Sequence, residues 1–424
     1  MIARALYHWA LLPLALGAVW LAARGAPRLR AHLAARRGVW DRLRQAAARR
    51  DPTRPLVWFH AASAGELLQA EPVMRRVREG GAQVAVTLSS VSGQRWLARV
   101  EAWPELVWAD LLPFDLPGAA ARLFAALRPT ALVFVQADLW PGLVWEAARR
   151  GVPQAVVAAR LGGAGPLRRW LGAGRYGRKR CNQALTEAER ARLARWVPGH
   201  AGLMVGGDPG IETVFQRLAE VPAAALPAAL TRGEGPVLVI GSSWPADERR
   251  WLPAVVAALA AHPALRVVVA PHEPTEPHLA ALEAALAAFG PRRLSAAAEA
   301  AARVWLVDSV GKLAALYQAG SLAYVGGGFS TGVHNVAEPA AAGLPVLFGP
   351  RHGKSAMAQA LLAAGAATAV TDAAGLRAAR ADALADPERC AARGRTARDT
   401  VTAEAGAAAR CFEALRAAIP AIIP

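Results

Sequence analysis

The sequence predicts an α/β protein built from two doubly wound domains with parallel sheets. Short apolar runs of strand type recur along the chain, each followed by turn residues and a helical pattern. Strands that alternate with helices indicate parallel sheets with crossover connections. The chain has 424 residues, which exceeds what one hydrophobic core usually serves and fits two domains. The alternation pauses once, in an alanine- and proline-rich stretch that separates two series of strands.

The first element is an apolar segment without a charged residue from Ala5 to Ala23. As a helix it would be ~28 Å long, close to the hydrocarbon thickness of a bilayer. Arginines dominate the following stretch to residue 50, where Asp41 is the single acid. By the positive-inside rule this basic flank stays cytoplasmic. We therefore expect a membrane anchor at residues 1–24, at the inner membrane, with the catalytic domains facing the cytoplasm. A cleaved signal peptide and a buried or interfacial helix are the alternatives.

A first α/β domain is predicted at residues 25–208 and a second at 235–424, joined by a linker at 209–234. The last helix, roughly Thr402 to Ala418, could pack back across the first domain. Ligands of doubly wound sheets bind beyond the carboxyl ends of the strands, so we expect the active site in a cleft between the domains. The predicted strands of both domains are Leu56–Phe59, Val84–Leu88, Ala131–Val135, Ala155–Ala158, Val237–Ile240, Val267–Ala270, Val304–Val307, Leu322–Val325 and Pro345–Phe348.

The segment from His60 to Glu66 directly follows the first predicted strand. Gly65 lets a ligand approach the backbone, and Glu66 falls in the first turn of the next helix. A carboxylate at this end of a strand is placed to take a proton from an attacking hydroxyl. Ser63 and Glu66 also have the spacing of a capping box, which needs no ligand. Asp138, which follows another strand of this domain, could contact an acceptor or cap the next helix.

The second domain contains a glycine turn, Gly326, Gly327 and Gly328, between a strand and a short helix. Such a turn directs backbone N–H groups and the helix dipole at one spot, which suits a nucleotide phosphate. His334, Asn335 and Glu338 follow on the same turn and could hydrogen-bond a sugar. Asn335 and Glu338 could equally form a capping box without a ligand.

Two other strand ends of the second domain carry polar residues. Ser242 and Ser243 can hold a phosphate at a helix start, although Ser243 would also serve as an ordinary N-cap. His272 ends the next strand and can point into the same site.

Composition limits the classes of partner. The formal net charge of +17 indicates an acidic partner, but basic and aromatic residues are not interleaved as in nucleic-acid platforms, so no nucleic acid is expected. The three cysteines are far apart and fit a reducing compartment. Neither an Asp-x-Asp loop nor a His or Cys cluster has the spacing of metal ligands, so we expect neither a metal nor a cofactor.

These segments, in this order, resemble the 3-deoxy-D-manno-octulosonic acid (Kdo) transferases, the lipid A glycosyltransferases of Gram-negative bacteria. The resemblance extends over nearly the whole chain and includes the apolar N-terminus with its basic flank. The matching segments are Trp58–Glu66, Leu112–Asp115, Leu139–Pro141, Ala159–Leu161, Gly241–Pro245, Pro271–Glu273, Asp308–Leu313, Gly326–Phe329, His334–Asn335, Glu338–Pro339 and Gly349–Pro350.

The resemblance implies a GT-B architecture and an inverting, metal-independent transfer of Kdo from CMP-Kdo to a lipid A precursor at an anionic membrane surface. It implies that Glu66 is the general base. The nucleotide-sugar contacts would come from Ser242, Ser243, His272, Gly326, Gly327, Gly328, His334, Asn335 and Glu338. The acceptor contacts would come from Ser63, Gly65, Asp138 and Arg160. The alternatives are a GT-B enzyme that uses a UDP-sugar on a lipid-linked acceptor, and a membrane-tethered nucleotide-sugar-binding protein without activity.

Overall fold

The computed structural model describes residues 4, 6–100, 102–161, 174–220, 226, 230, 235–296 and 302–423. The chain divides into two compact units: Met1–Thr213 with Gly406–Pro424, and Val214–Ala405. The expected linker at 209–234 instead begins with a helix, Gly210–Glu220. Its sequence, Gly-Ile-Glu-Thr-Val-Phe, places apolar residues at helical spacing, and Ile211 and Val214 are buried.

Seven parallel strands form the sheet of the first unit within the described residues, in the order β3-β2-β1-β4-β5-β6-β7. Successive side chains of β1 enter opposite cores: Val57 and Phe59 lie in one, Leu56 and Trp58 in the other. Helices therefore cover both faces, as expected for a parallel sheet. The strands are β1 Leu56–Ala61, β2 Gln83–Leu88, β3 Leu106–Leu111, β4 Ala131–Val135, β5 Gln154–Ala159, β6 Cys181–Ala184 and β7 Leu203–Val205.

The second unit repeats this plan with seven parallel strands among its described residues, in the order β10-β11-β9-β8-β12-β13-β14. In both sheets the strand order reverses beside the first strand, between β1 and β4 and between β8 and β12. Such switch points are where doubly wound folds bind ligands. The strands are β8 Val237–Ser243, β9 Arg266–Pro271, β10 Arg292–Arg293, β11 Val304–Leu306, β12 Leu322–Val325, β13 Val346–Phe348 and β14 Ala367–Ala369.

Helices connect the strands of both units. In the first unit they are Leu12–Ala23, Pro27–Ala34, Val39–Ala48, Ala64–Glu79, Gln94–Val100, Ala119–Leu127, Pro141–Arg149, Glu187–Ala194 and Ala407–Ala418. In the second they are Pro245–Ala261, Glu276–Ala285, Leu313–Gln318, Ala337–Ala341, Ala356–Ala363, Ala373–Ala385 and Pro387–Thr402.

The apolar N-terminal segment forms a π-helical turn, Tyr7–Leu11, followed by the helix Leu12–Ala23. A turn at Arg24 and Gly25 ends this helix before the basic flank begins. Among the described residues, no helix combines the length and the apolar character that crossing a bilayer requires.

The expected last helix, from Thr402 to Ala418, is interrupted in the structure. The helix Pro387–Thr402 ends, and Gly406 takes a positive φ of 79° before the final helix begins at Ala407. Ala408, Cys411 and Leu415 of this final helix are buried in a core of the first unit. The C-terminus therefore belongs structurally to the N-terminal domain.

Candidate active site

Glu66 lies beyond the carboxyl end of β1, at the switch point of the first sheet. Ser63 caps the helix Ala64–Glu79, and its Oγ accepts a hydrogen bond of 3.5 Å from the Glu66 amide. The Glu66 carboxylate reaches back and accepts from the amide of Ala62. The capping-box interpretation is therefore geometrically real, and it holds the carboxylate at the strand end where a general base is expected.

Asp138 follows β4, the strand beside β1, and its carboxylate is held by three donors. Its Oδ2 atom lies 3.1 Å from His60 Nε2, 2.5 Å from Ser89 Oγ and 3.2 Å from Trp140 Nε1. Burial alone would raise the pKa of Asp138. The hydrogen bond and the charge of His60 outweigh this effect and lower the pKa, and the hydrogen bonds from Ser89 and Trp140 add to the lowering. Asp138 is therefore a fixed negative charge.

His60 is fully buried, and its contacts define which ring nitrogen donates to Asp138. Nδ1 lies 2.8 Å from Thr87 Oγ1, which also accepts a hydrogen bond of 2.9 Å from Trp58 Nε1. Because the ionised carboxylate of Asp138 can only accept, the Nε2 atom of His60 carries a proton and donates to it.

The pKa of Glu66 is raised from 4.5 to about 7. Burial is the largest cause and the negative charge of Asp138 adds to it, while hydrogen bonds from the amides of Ala62 and Ser63 oppose the shift. A carboxylate with a pKa near the working pH can both accept and return a proton, which is the property of an efficient general base. The pKa values of Glu66 and Asp138 are thus shifted in opposite directions at one edge of the sheet, an arrangement that is common in acid–base sites.

The remaining acceptor-side residues lie at the same edge of the sheet. Gly65 is exposed in the first helical turn, and a Cβ there would meet nothing closer than the Ser63 Oγ at 3.9 Å. Arg160 directly follows β5, which pairs with β4. The structure thus brings the ends of β1, β4 and β5 together, and with them Ser63, Gly65, Glu66, Asp138 and Arg160.

In the second unit the glycine turn is held by a protein carboxylate. Asp247, fully buried, accepts hydrogen bonds from the amides of Gly327 at 2.8 Å and Phe329 at 3.3 Å. The Gly326 amide donates to Gly241 O at 2.9 Å. The prediction that the Gly326 and Gly327 amides point at a phosphate is therefore wrong, because Asp247 and the end of β8 already accept from them. Gly328 is buried, and no described residue accepts a hydrogen bond from its amide.

Glycine is required at all three positions of this turn, since a Cβ on Gly328 would lie 2.5 Å from Gly349 N. A Cβ on Gly326 would lie 2.2 Å from Ser242 O, so only glycine lets β12 end directly against β8. Gly327 has a φ of 90°, in the region that favours glycine.

The two serines at the end of β8 behave differently from each other. Ser242 has a φ of 53°, a strained backbone for a non-glycine residue and a feature that clusters at functional sites. Ser243 is buried, and its hydroxyl donates to Glu248 Oε1 at 2.9 Å. The N-cap role expected for Ser243 is wrong, because Trp244 occupies that position. Its contact with a phosphate stays a prediction.

Trp244, His272 and His334 form a cluster of stacked rings beside the glycine turn. Trp244 Nε1 donates to His334 Nε2 at 2.7 Å, and these two rings are within 17° of parallel. His272 stacks on both, with centroids 4.6 Å from Trp244 and 4.4 Å from His334. Burial, then the neighbouring His272, lowers the pKa of His334 to about 4, and burial lowers that of His272. The rings are therefore uncharged at neutral pH.

Glu338 lies in the first turn of the short helix Ala337–Ala341, and Asn335 lies just before this helix. Asn335 is exposed, and its Oδ1 accepts a hydrogen bond of 2.9 Å from the Ala337 amide. Glu338 is buried and forms an ion pair of 2.9 Å with Arg217. Over the described parts of the chain, no group of three or more His, Cys, Asp or Glu side chains is placed to hold a metal ion.

The chain is similar in sequence to proteins of one known family. The family described as 3-Deoxy-D-manno-octulosonic-acid transferase (kdotransferase) matches residues 32–188. A 3-deoxy-D-manno-octulosonic acid transferase of Bordetella pertussis is 31% identical over 391 residues, which cover 85% of this chain and 86% of that protein. The chain belongs to the Kdo transferase family. It is therefore a glycosyltransferase, as its resemblance in sequence predicted.

Solved structures of other proteins share the fold of this Kdo transferase. UDP-GlcNAc 2-epimerase from Neisseria meningitidis gives a TM-score of 0.60 at 13% identity, covering 82% of this chain and 99% of that one. MurG of Acinetobacter baumannii gives a TM-score of 0.53 at 15% identity, covering 81% of this chain and 95% of that one. The predicted two-domain α/β architecture of GT-B type is thereby confirmed.

Sequence reasoning about the Kdo transferase missed several residues that shape the site. No role was predicted for Asp247, His60, Ser89 or Trp140. His60, Ser89 and Trp140 follow or end strands of the first sheet, so their position at strand ends was the available signal. No sequence pattern indicates that Asp247 reaches a turn 80 residues away.

Proposed function

We propose that this chain transfers Kdo from CMP-Kdo to a lipid A precursor, with inversion and without a metal ion. The observation that carries the proposal is the pair of carboxylates at the switch point of the first sheet. Glu66, with a pKa raised to about 7, has the properties of a base, and Asp138 stays ionised beside it. Membership of the Kdo transferase family supports the identity of the sugar.

In this mechanism the Glu66 carboxylate removes the proton from an acceptor hydroxyl. The hydroxyl oxygen then forms a bond to the anomeric carbon of Kdo on the face opposite the nucleotide. The bond from that carbon to the phosphate oxygen breaks, and CMP leaves with the electron pair. One displacement inverts the anomeric configuration.

The donor is assigned to the second unit. The Gly328 amide is a candidate donor to the leaving phosphate, and preorganised donors at a developing charge lower the barrier. The ring cluster of Trp244, His272 and His334 offers a flat, uncharged surface beside it. Glu338 and Asn335 remain candidates for the sugar hydroxyls of the nucleotide.

The acceptor side is assigned to Ser63, Gly65, Asp138 and Arg160 in the first unit. We propose that the N-terminal segment attaches the protein to the anionic cytoplasmic surface of the inner membrane. Its large apolar side chains are unusually exposed: 76% for Trp9, 73% for Leu14 and 59% for Trp20. Apolar and aromatic side chains of this kind, flanked by arginines, are typical of an interfacial anchor.

The experiment combines the purified chain with CMP-Kdo, generated in place, and a tetraacyl lipid A precursor. Mass spectrometry of the lipid counts the Kdo units added, and the anomeric configuration of the product reports inversion. Parallel reactions with UDP-sugars separate this proposal from a UDP-dependent enzyme. Binding of CMP-Kdo without any transfer would instead favour an inactive binding protein.

A further inference from the structure

A pocket of about 340 Å³ lies in the first unit, apart from the residues assigned so far. Its walls come from residues 33–40 of the basic flank, the loop at residues 113–117 and the start of the helix Ala119–Leu127. Arg36, Arg37 and Arg122 line it together with Trp40 and Phe114. Its volume is within the range of small-molecule sites.

The pocket carries three arginines, and among the described carboxylates Asp110 interacts electrostatically with Arg36. None of the three arginines forms an ion pair with a described residue. Arg36 donates from Nε to Leu112 O at 2.9 Å, from Nη1 to His32 O at 3.0 Å and from Nη2 to Ser89 O. A guanidinium has five N–H groups, so two remain for a ligand.

Aromatic rings orient two of these guanidinium groups. Arg122 lies over the Trp40 ring at 4.6 Å from the centroid, and Arg36 lies over Phe114 at 5.1 Å. Leu33 and Leu116 extend the apolar part of the lining, and Leu116 is 45% exposed. An anionic group attached to an apolar body matches this lining, and arginine forks suit phosphate in particular.

The pocket lies between the acidic pair and the exposed apolar N-terminus. On one side, Arg36 binds Ser89 O, and the hydroxyl of Ser89 donates to Asp138. On the other side, Asp115 of the pocket loop accepts a hydrogen bond of 3.0 Å from the Tyr7 hydroxyl. Tyr7 precedes the exposed side chains of Trp9 and Leu14. A lipid whose acyl chains lie at that surface would have its headgroup at the pocket.

We propose that Arg36, Arg37 and Arg122 bind a phosphate group of the acceptor glycolipid and so set the position of its sugar relative to Glu66. This inference rests on the proposed function, because it takes the acceptor to be a phosphorylated lipid. The pocket is then a specificity site for phosphorylated over unphosphorylated acceptors.

The test measures equilibrium binding of a labelled tetraacyl lipid A precursor in detergent micelles, with and without prior removal of its phosphates by a phosphatase. The wild type is compared with Arg37→Ala/Arg122→Ala, which keeps Arg36 and its structural hydrogen bonds. The matched control is Arg178→Ala/Arg180→Ala, which removes two exposed arginines of the same unit outside the pocket and outside the basic flank.

We expect the wild type and the control to bind the phosphorylated lipid about 10-fold or more tightly than the dephosphorylated lipid, as charge-assisted hydrogen bonds predict. The pocket variant should lose most of that preference while its affinity for the dephosphorylated lipid stays the same. A preference retained by the pocket variant would overturn the inference. A second result would also overturn it: the pocket variant loses affinity equally for both lipids and also binds phosphatidylglycerol vesicles more weakly. The pocket would then bind bulk anionic lipid. Binding is measured without turnover, so a wild type that binds selectively but transfers no Kdo would contradict only the proposed function.

Discussion

Replacing Asp138 with asparagine tests how the pKa of the proposed base is set. The pKa of Glu66 is raised from 4.5 to about 7, with burial as the larger cause and the charge of Asp138 as the smaller. Removing that charge at constant burial should lower the pKa of Glu66 by about 1 or less. The base would then be ionised at lower pH. A fall from 7 to 6 would raise the ionised fraction at pH 6 from about 9% to about 50%, a fivefold change.

The assay is the pH dependence of kcat/KM for Kdo transfer between pH 5 and 9. Each profile is scaled to its own plateau, because Asp138 is also a candidate acceptor contact and its loss can lower the plateau itself. In wild type the rate should fall as pH decreases through about 7, since protonated Glu66 cannot accept a proton. Asp138→Asn should shift this acidic limb to lower pH.

The control is Glu79→Gln, which removes an exposed carboxylate at the far end of the same helix. Glu79 lies thirteen positions after Glu66 along the helix, about 20 Å away, so its charge is largely screened. The reasoning is refuted if Asp138→Asn leaves the acidic limb in place, or if Glu79→Gln shifts it equally.

Two further predictions concern the stability of the folded protein. Asp247→Asn should lower the free energy of unfolding by about 2–4 kcal/mol, because an amide cannot accept all the hydrogen bonds that Asp247 receives. Urea denaturation measures this change. The control is Asp372→Asn at an exposed N-cap, which should lower the free energy of unfolding by about 1 kcal/mol or less. Lys179 is buried, donates to Gln154 at 2.6 Å, and burial holds its pKa well below 10.5. The folded state therefore binds fewer protons than the unfolded state, so stability should rise with pH below 10.5, and Lys179→Met should flatten that slope. An unchanged slope would show that Lys179 is charged in the fold.

Much of the fold follows from sequence because its central strands are long apolar runs. β4 and β12 have the predicted bounds, and both are buried throughout. Five strands were not predicted: β3, β6, β7, β10 and β14. For β3 and β6 the physical reason is clear. β3 contains Asp110, whose charge is compensated by Arg42 from a distant helix. β6 is largely polar, and its Asn182 and Gln183 are buried through contacts that no local pattern indicates.

The candidate site was also predictable only in part. Glu66 and Asp138 could be placed together because both directly follow strands, and neighbouring parallel strands end at one edge. The glycine turn could be located but its chemistry was misjudged, since Asp247 takes the Gly327 amide from a helix far away in sequence. The Trp244 and His334 hydrogen bond is equally long-range. Local spacing predicts positions at a sheet edge, whereas the partners of each group depend on tertiary packing.

The most direct test of the central claim compares Kdo transfer by wild type and Glu66→Gln, with donor and acceptor both saturating. Glutamine keeps the size of the side chain and an oxygen that can accept from the Ala62 amide, but it cannot take a proton. We predict that the variant binds CMP-Kdo with unchanged affinity and transfers Kdo about 10²-fold or more slowly. Transfer at the wild-type rate would contradict the assignment of Glu66 as the base.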